Sequence, residues 1–350
     1  MKNLDTSIHH LLQQGTVIPA HPLALNQHLS LDENRQRLLT RYYIASGVGG
    51  VAVGVHTTQF EIRKPHINLL EPVLEIAADE ISRAKLERPF IKVVGIVGPT
   101  EQALREAELA VKYGYQLGLV SMGGLTYSED ELIKRVEAIA EIIPVFGFYL
   151  QPAVGGRILT YHFWQKFVEI PNVHAIKVAA FNRYQTLDVV RAVCHSSRRN
   201  EIALYTGNDD NIIADLLTPY RFTINGELVE KRFVGGLLGH WAVWTKNSVE
   251  LFHEIKQRPG DHHGIENLLA KNIEITDMNA AIFDAANSFK GCIAGIHEVL
   301  RRQGLMEGIW CLDPEEKLSP GQAEEIDRVY SMYPYLTDDA FVHNFLRTQK

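Results

Sequence analysis

The 350-residue sequence predicts an α/β chain folded as a (β/α)8 TIM barrel with a C-terminal helical extension. Three observations predict it. Short apolar, β-branched runs alternate with amphipathic segments, there are eight such runs, and beyond the eighth the chain reads as helix. Strands buried on both faces of a parallel sheet read as continuous apolar runs bounded by turns. Eight of them favour a closed barrel over a doubly wound sheet, which more often stops at about five or six strands.

The runs are 16–20 (TVIPA), 50–55 (GVAVGV), 91–97 (IKVVGIV), 117–122 (LGLVSM), 144–150 (PVFGFYL), 173–179 (VHAIKVA), 202–206 (IALYT) and 232–238 (RFVGGLL). Between them, 32–46 reads as a helix, with Ser30 placed to cap it and Glu33 three residues later in capping-box spacing. The segment 100–113 follows Gly98-Pro99 with apolar positions at helical spacing. Another helix, 128–142, opens SEDEL, acidic where the helix dipole favours it, and a shorter one covers 186–194. The tail suggests helices at 266–273, 279–303 and 322–330. The expected division is a barrel over 1–255 and a helical extension over 256–350, packed on the barrel and available as a subunit contact.

Composition narrows the function. A net charge of −7 at pH 7 argues against a nucleic-acid binder, which would carry a basic face, and against an anionic membrane surface. Cys194, Cys292 and Cys311 are too dispersed for a zinc or disulfide framework, so a reducing, cytoplasmic setting is expected. The polar N-terminal stretch lacks a signal core, and no run approaches the ~18 apolar residues of a membrane span. The pairs His9-His10 and His262-His263 carry no metal expectation, because adjacent helix residues do not face each other. The glycines of 47–54 lack the acidic residue of a dinucleotide fingerprint.

In a barrel, chemistry gathers at the C-terminal ends of the strands. Lys177 stands near such an end, in VHAIKVAA. A lysine is rarely buried unpaired, and desolvation lowers its pKa toward the neutral amine that Schiff-base chemistry needs. Tyr149 ends the preceding run, which puts both residues on one rim. The other ends supply His56, Thr57 and Thr58; Ser121 to Gly124; Gln151; Gly207, Asn208 and Asp209; and His240, expected at the pocket mouth. Asn208 and Asp209 either shape the pocket or cap the following helix, and Trp241 and Trp244 read as packing.

These residues resemble the dihydrodipicolinate synthase and N-acetylneuraminate lyase family of class I aldolases, from about residue 15 to 240. Tyr149 stands 28 positions before Lys177, the spacing of that family. FYLQPAVGGR is similar to its tyrosine–Asn–x–Pro segment, with Leu150 in place of the Asn, and AIKVAA to its Ile-Lys-Glu-Ala segment. YTGNDD at 205–210 resembles its Ser-Gly-Asp-Asp turn. GVHTTQF at 54–60 resembles its hydroxyl loop, in one of two registers that put either Val55 and His56 or Thr57 and Thr58 at the threonine positions.

The resemblance implies that Lys177 forms an imine with a 2-oxo acid such as pyruvate, with no cofactor and no metal. It implies that Tyr149 moves the proton, polarised by Thr57 or Thr58, and that the Thr57–Thr58 turn seats the substrate carboxylate. Arg157 would hold a charged group of a second substrate, such as an aldehyde, and the family suggests a homo-oligomer, dimer or tetramer. Met122-Gly123-Gly124 replaces the tyrosine pair of the synthase branch, and Val178 replaces the acid after the lysine. These departures point to an aldolase, lyase or dehydratase other than the synthase. The alternatives are a non-catalytic binder of 2-oxo or sugar acids and a metal-dependent barrel lyase.

Overall fold

The structure, a computed structural model, describes residues 4–257 and 262–349. Its centre is a barrel of eight parallel strands. They are β1 (Val17–Pro19), β2 (Gly50–Val53), β3 (Ile91–Ile96), β4 (Leu117–Val120), β5 (Val145–Leu150), β6 (Val173–Ala179), β7 (Ala203–Thr206) and, after an antiparallel hairpin of β8 (Tyr220–Ile224) and β9 (Glu227–Lys231), β10 (Phe233–Leu238). The ladder runs β1-β10-β7-β6-β5-β4-β3-β2. A parallel bridge between Ala20 and Ala52 joins its two ends, and the His21 N–H donates to the Ala52 carbonyl at 2.8 Å. Closure removes the exposed sheet edges.

Successive strand residues point to opposite faces, and here the two faces fill two separate cores. Ile18, Ala52, Val93, Leu119, Phe146, Phe148, Ala175, Tyr205 and Leu237 pack inside the barrel. Val17, Val51, Val94, Val120, Tyr149, Ile176, Val178 and Leu204 pack outward, under the helices. Ile8 and Leu12 of the helix Thr6–Gln14 join the inner core, where the Tyr205 hydroxyl donates to the Leu12 carbonyl at 3.0 Å.

Side-chain caps decide where several helices begin. Asp32, not Ser30, caps Glu33–Ser46, accepting the Arg35 N–H at 3.0 Å. Ser128 and Glu131 form a reciprocal capping box on Glu129–Ala140. Asn182 caps Arg183–His195, so this helix starts earlier than the apolar spacing alone suggests. The hairpin of β8 and β9 was not anticipated as strand. Its signal is Asn225-Gly226, both at positive φ (52° and 83°), between alternating apolar and polar residues.

The tail departs from expectation in a way that shapes the site. A single helix over 279–303 does not form. The helix His262–Ile282 stops, and the next one, Cys292–Arg302, starts after a turn in which Asp284, Ser288 and Phe289 all hold positive φ. The Asp284 carboxylate accepts the Gly291 N–H at 3.0 Å and the Asn287 side-chain amide at 2.7 Å, a local bonding scheme that competes with helix. Two further helices, Gln322–Met332 and Asp339–Thr348, follow. The tail is tied to the barrel's outer helices: Asp338 accepts the Tyr42 hydroxyl at 2.6 Å and the Lys246 N–H at 2.9 Å. The expected division at residue 255 falls inside the helix Thr245–Gln257. Among the described residues, no helix is long and apolar enough to cross a membrane. The His262 side chain lies outside the described residues.

Candidate active site

A cavity with about 600 Å³ of empty space, part of it open to solvent, sits over the C-terminal ends of the strands. Lys177 lines it. β6 pairs with β5 and β7 so that Lys177 lies beside Phe148 and Tyr205, all on the inner face. The Lys177 ammonium sits 4.5 Å from the centroid of the Phe148 ring. Gly207 makes room for the chain, since a Cβ there would come within 2.5 Å of the Lys177 Cε. Burial pulls the Lys177 pKa down to about 8, against the opposing pull of the Asp209 carboxylate.

Asp209, just beyond β7, is the carboxylate that shares this cavity among the described residues. The His240 N–H donates to its Oδ1 at 2.9 Å, and Asn279 holds its carbonyl at 2.6 Å. Burial pushes the Asp209 pKa up to about 7, opposed by the His240 N–H and the charge of Lys177. His56 and Thr57 line the same cavity from the turn after β2. Burial, then the charge of Lys177, lowers the His56 pKa to about 4, so its imidazole is neutral at pH 7.

The expected partnership of Tyr149 with Lys177 does not form. Lys177 pairs with Phe148, so the next residue on β5 faces outward. The Tyr149 ring packs 5.3 Å from Trp164, and its hydroxyl exchanges hydrogen bonds with the backbone of Leu159. Matching sequence spacing did not fix the face, because one step along a strand reverses it.

Thr58 is also committed elsewhere. Its hydroxyl donates to the His21 carbonyl at 2.7 Å and accepts the Gly54 and Val55 N–H groups, which holds the turn together. Thr57 donates to the same carbonyl at 3.3 Å and remains on the cavity wall. Asn208 bridges the Asp215 carboxylate and the Phe181 N–H, a packing role. The His240 ring bonds Asn279 at 2.7 Å and lies outside this cavity; only its backbone acts here, on Asp209. Arg157 donates to the Leu125 and Tyr127 carbonyls and does not line the cavity.

From sequence, Asp209 has no more than a pocket-shaping or helix-capping role, and nothing there marks the cavity's outer wall, Phe283, Phe289, Cys292 and Ile296. That wall comes from the broken helix, so no sequence periodicity pointed to it. Among the described residues, no group of three or more His, Cys, Asp or Glu side chains is placed to hold a metal ion.

No family model matches the sequence. The N-acetylneuraminate lyase of Citrobacter koseri is 30% identical over 205 residues, which cover 57% of this chain and 65% of that one. The Salmonella typhi enzyme of the same name is 29% identical over 191 residues, 53% of this chain and 60% of its own. The matched part therefore spans less than two thirds of these relatives' length. The fold extends further. N-acetylneuraminate lyase from Fusobacterium nucleatum, solved with pyruvate, superposes with a TM-score of 0.70 at 17% identity over 92% of this chain and 98% of its own. Dihydrodipicolinate synthase from Oceanobacillus iheyensis gives 0.72 at 15% identity, over 93% and 99%. In sequence, then, part of the chain is similar to N-acetylneuraminate lyases, and in fold the barrel and tail together are similar to N-acetylneuraminate lyase and dihydrodipicolinate synthase.

Proposed function

We propose that the protein is a class I, Schiff-base-forming lyase or aldolase that acts on a 2-oxo acid such as pyruvate. The observation that carries this reading is Lys177, desolvated on the inner face of β6 beside a single carboxylate, in a cavity at the active end of the barrel. A lysine so placed is neutral in about a tenth of molecules at pH 7, far more than an ordinary lysine, and the neutral form is the nucleophile.

Lys177 Nζ attacks the 2-oxo carbon, and loss of water leaves a cationic imine. In the cleavage direction, the electrons of the bond beyond the neighbouring carbon flow into the imine and leave an enamine. A proton leaves the substrate hydroxyl as the aldehyde departs, and a proton joins the enamine carbon afterwards. Water then hydrolyses the imine and returns the lysine. Asp209 takes and returns these protons, because it is the carboxylate that shares the cavity with Lys177 and burial raises its pKa toward the working pH. Neutral His56 and the Thr57 hydroxyl, both on the cavity wall, orient the 2-oxo acid. The pyruvate bound in the Fusobacterium nucleatum lyase supports the choice of substrate class.

The test is borohydride reduction in the presence of pyruvate, read by peptide mass spectrometry. A reduced adduct on Lys177, absent in Lys177→Arg, is expected. No adduct with any of several 2-oxo acids would overturn the reading and leave a binding protein.

A further inference from the structure

We infer that the second-substrate end of this cavity takes an aromatic or branched apolar aldehyde rather than a polyhydroxylated one; the inference rests on the imine reading above. The cavity is divided by chemistry. Its polar side chains stand at the strand ends, on His56, Thr57, Gln151, Lys177 and Asp209. The wall contributed by the tail and the loop after β6 is Phe181, Phe283, Phe289 and Ile296, with the buried Cys292 thiol among them.

Phe181 and Phe289 stack with centroids 6.0 Å apart and planes within 2° of parallel. Both residues hold positive φ, 46° and 65°, a conformation costly for a bulky side chain that persists only where surrounding structure imposes it. The Phe181 N–H is held by the Asn208 side-chain oxygen at 3.0 Å, and the Phe289 N–H by the Asp284 carbonyl at 3.0 Å. The tail and the β6 loop thus bring two flat apolar rings to the cavity wall. Phe181, Phe283 and Phe289 also line a second, adjoining cavity of about 460 Å³ of empty space, whose other side carries Asp209, Asp210, Thr276 and Asn279. There the Thr276 hydroxyl and the Asn279 amide are spent on backbone carbonyls and His240, and the three rings leave an apolar substituent room to extend along them.

A polyhydroxylated aldehyde needs a hydrogen-bond partner for each hydroxyl it withdraws from water. The apolar wall offers none beyond the weak thiol. A second carboxylate would need a cation, but Lys177 is the one lysine or arginine lining the cavity among the described residues, and Arg157 is spent on two backbone carbonyls elsewhere. An aryl or branched alkyl group instead releases water from apolar surface on both partners.

The experiment measures aldol addition of pyruvate to benzaldehyde and to D-erythrose, each product followed by chromatography. With benzaldehyde, the pyruvate methyl carbon gives up one proton and bonds the aldehyde carbon, whose oxygen takes a proton, yielding 4-hydroxy-2-oxo-4-phenylbutanoate. The expected kcat/KM is at least about tenfold higher for benzaldehyde. In Phe289→Ser and, as a smaller change, Ile296→Thr, the benzaldehyde-to-erythrose ratio should fall by about tenfold. Both rates come from one sample, so partial misfolding leaves the ratio intact. Preference for erythrose, turnover of neither aldehyde while pyruvate still forms an adduct on Lys177, or an unchanged ratio in both variants would overturn the inference. Absence of the adduct would instead defeat the imine reading. Wall specificity would then be read by calorimetry: tighter binding of phenylpyruvate than of pyruvate supports the apolar wall, and equal or weaker binding overturns it.

Discussion

Asp209 and Asp215 stand six residues apart beyond the same strand, and they have opposite fates. Asp215 is fully buried and saturated. It accepts Thr206 Oγ1 at 2.7 Å, Asn208 Nδ2 at 2.9 Å, Asn211 Nδ2 at 3.1 Å and Arg183 Nη1 at 2.6 Å. Asp209 receives one backbone N–H on its carboxylate and otherwise faces a cavity that it shares with a lysine. A carboxylate whose lone pairs are all answered holds its surroundings in one arrangement. One left under-coordinated beside a desolvated amine keeps the capacity to change protonation state. Motif resemblance weighs the polar residues of 205–210 alike. Their bonding separates Asn208, which belongs to the saturated network, from Asp209, which belongs to the chemistry.

The largest expected effect lies on the chemical side of this divide. Lys177→Arg should abolish pyruvate trapping, because a guanidinium keeps its proton and cannot attack. Asp209→Asn comes next. Enamine formation exchanges the pyruvate methyl hydrogens with solvent, so deuterium exchange followed by NMR reads proton transfer without a second substrate. Exchange should slow by about 10²- to 10⁴-fold while borohydride still traps the imine. Equal loss of trapping and exchange would mean that Asp209 only supports the fold, as Asp215 does.

Asp215→Ala should behave in the reverse sense. It strands the buried donors of Thr206 and Asn208 and lowers stability by about 2–3 kcal/mol, seen as a lower Tm, while the folded fraction still traps pyruvate. A selective loss of trapping at unchanged Tm would erase the distinction between the two aspartates.

pH sharpens the comparison further. The reactive form of Lys177 is neutral, and burial brings its pKa down to about 8. The imine formation rate should therefore rise with pH, reach half its plateau near 8, and stay flat where an ordinary lysine is still titrating. The Asp209 charge raises the Lys177 pKa, so Asp209→Asn should move that midpoint to lower pH. A midpoint near 10 in the wild type would contradict the desolvated environment.

How much of this was legible in the sequence depends on what each feature requires. The eight barrel strands were legible because burial on both faces leaves continuous apolar runs. Lys177 was legible because a charge inside such a run is costly. The hairpin escaped because its strands are largely exposed and so lack a continuous apolar run, although Asn225-Gly226 marked the turn. The break at Asp284 escaped because a side chain bonding its own turn leaves no mark on helical periodicity. The cavity's apolar wall depends on that break and was hidden with it. Tyr149 shows a different limit: spacing along the chain is preserved while the face is not, since β5 and β6 pair through Phe148.

Tyr149→Phe is accordingly the smallest effect expected, and the one that tests register directly. Were the phenol the proton carrier, removing its hydroxyl would slow turnover by about 10²-fold or more. In the observed register the hydroxyl reaches only the Leu159 backbone, at 3.3 and 3.4 Å, on the far side of β5 from Lys177. Its loss should cost about 1 kcal/mol of stability or less and leave pyruvate exchange within about twofold of wild type. A large loss of exchange would place the tyrosine inside the barrel, shift β5 by one residue against β6, and return Phe148 to the outer core. Phe148→Tyr then makes the complementary measurement: in the observed register it puts a phenol beside Lys177, and only there should a new hydroxyl alter the pH dependence of imine formation.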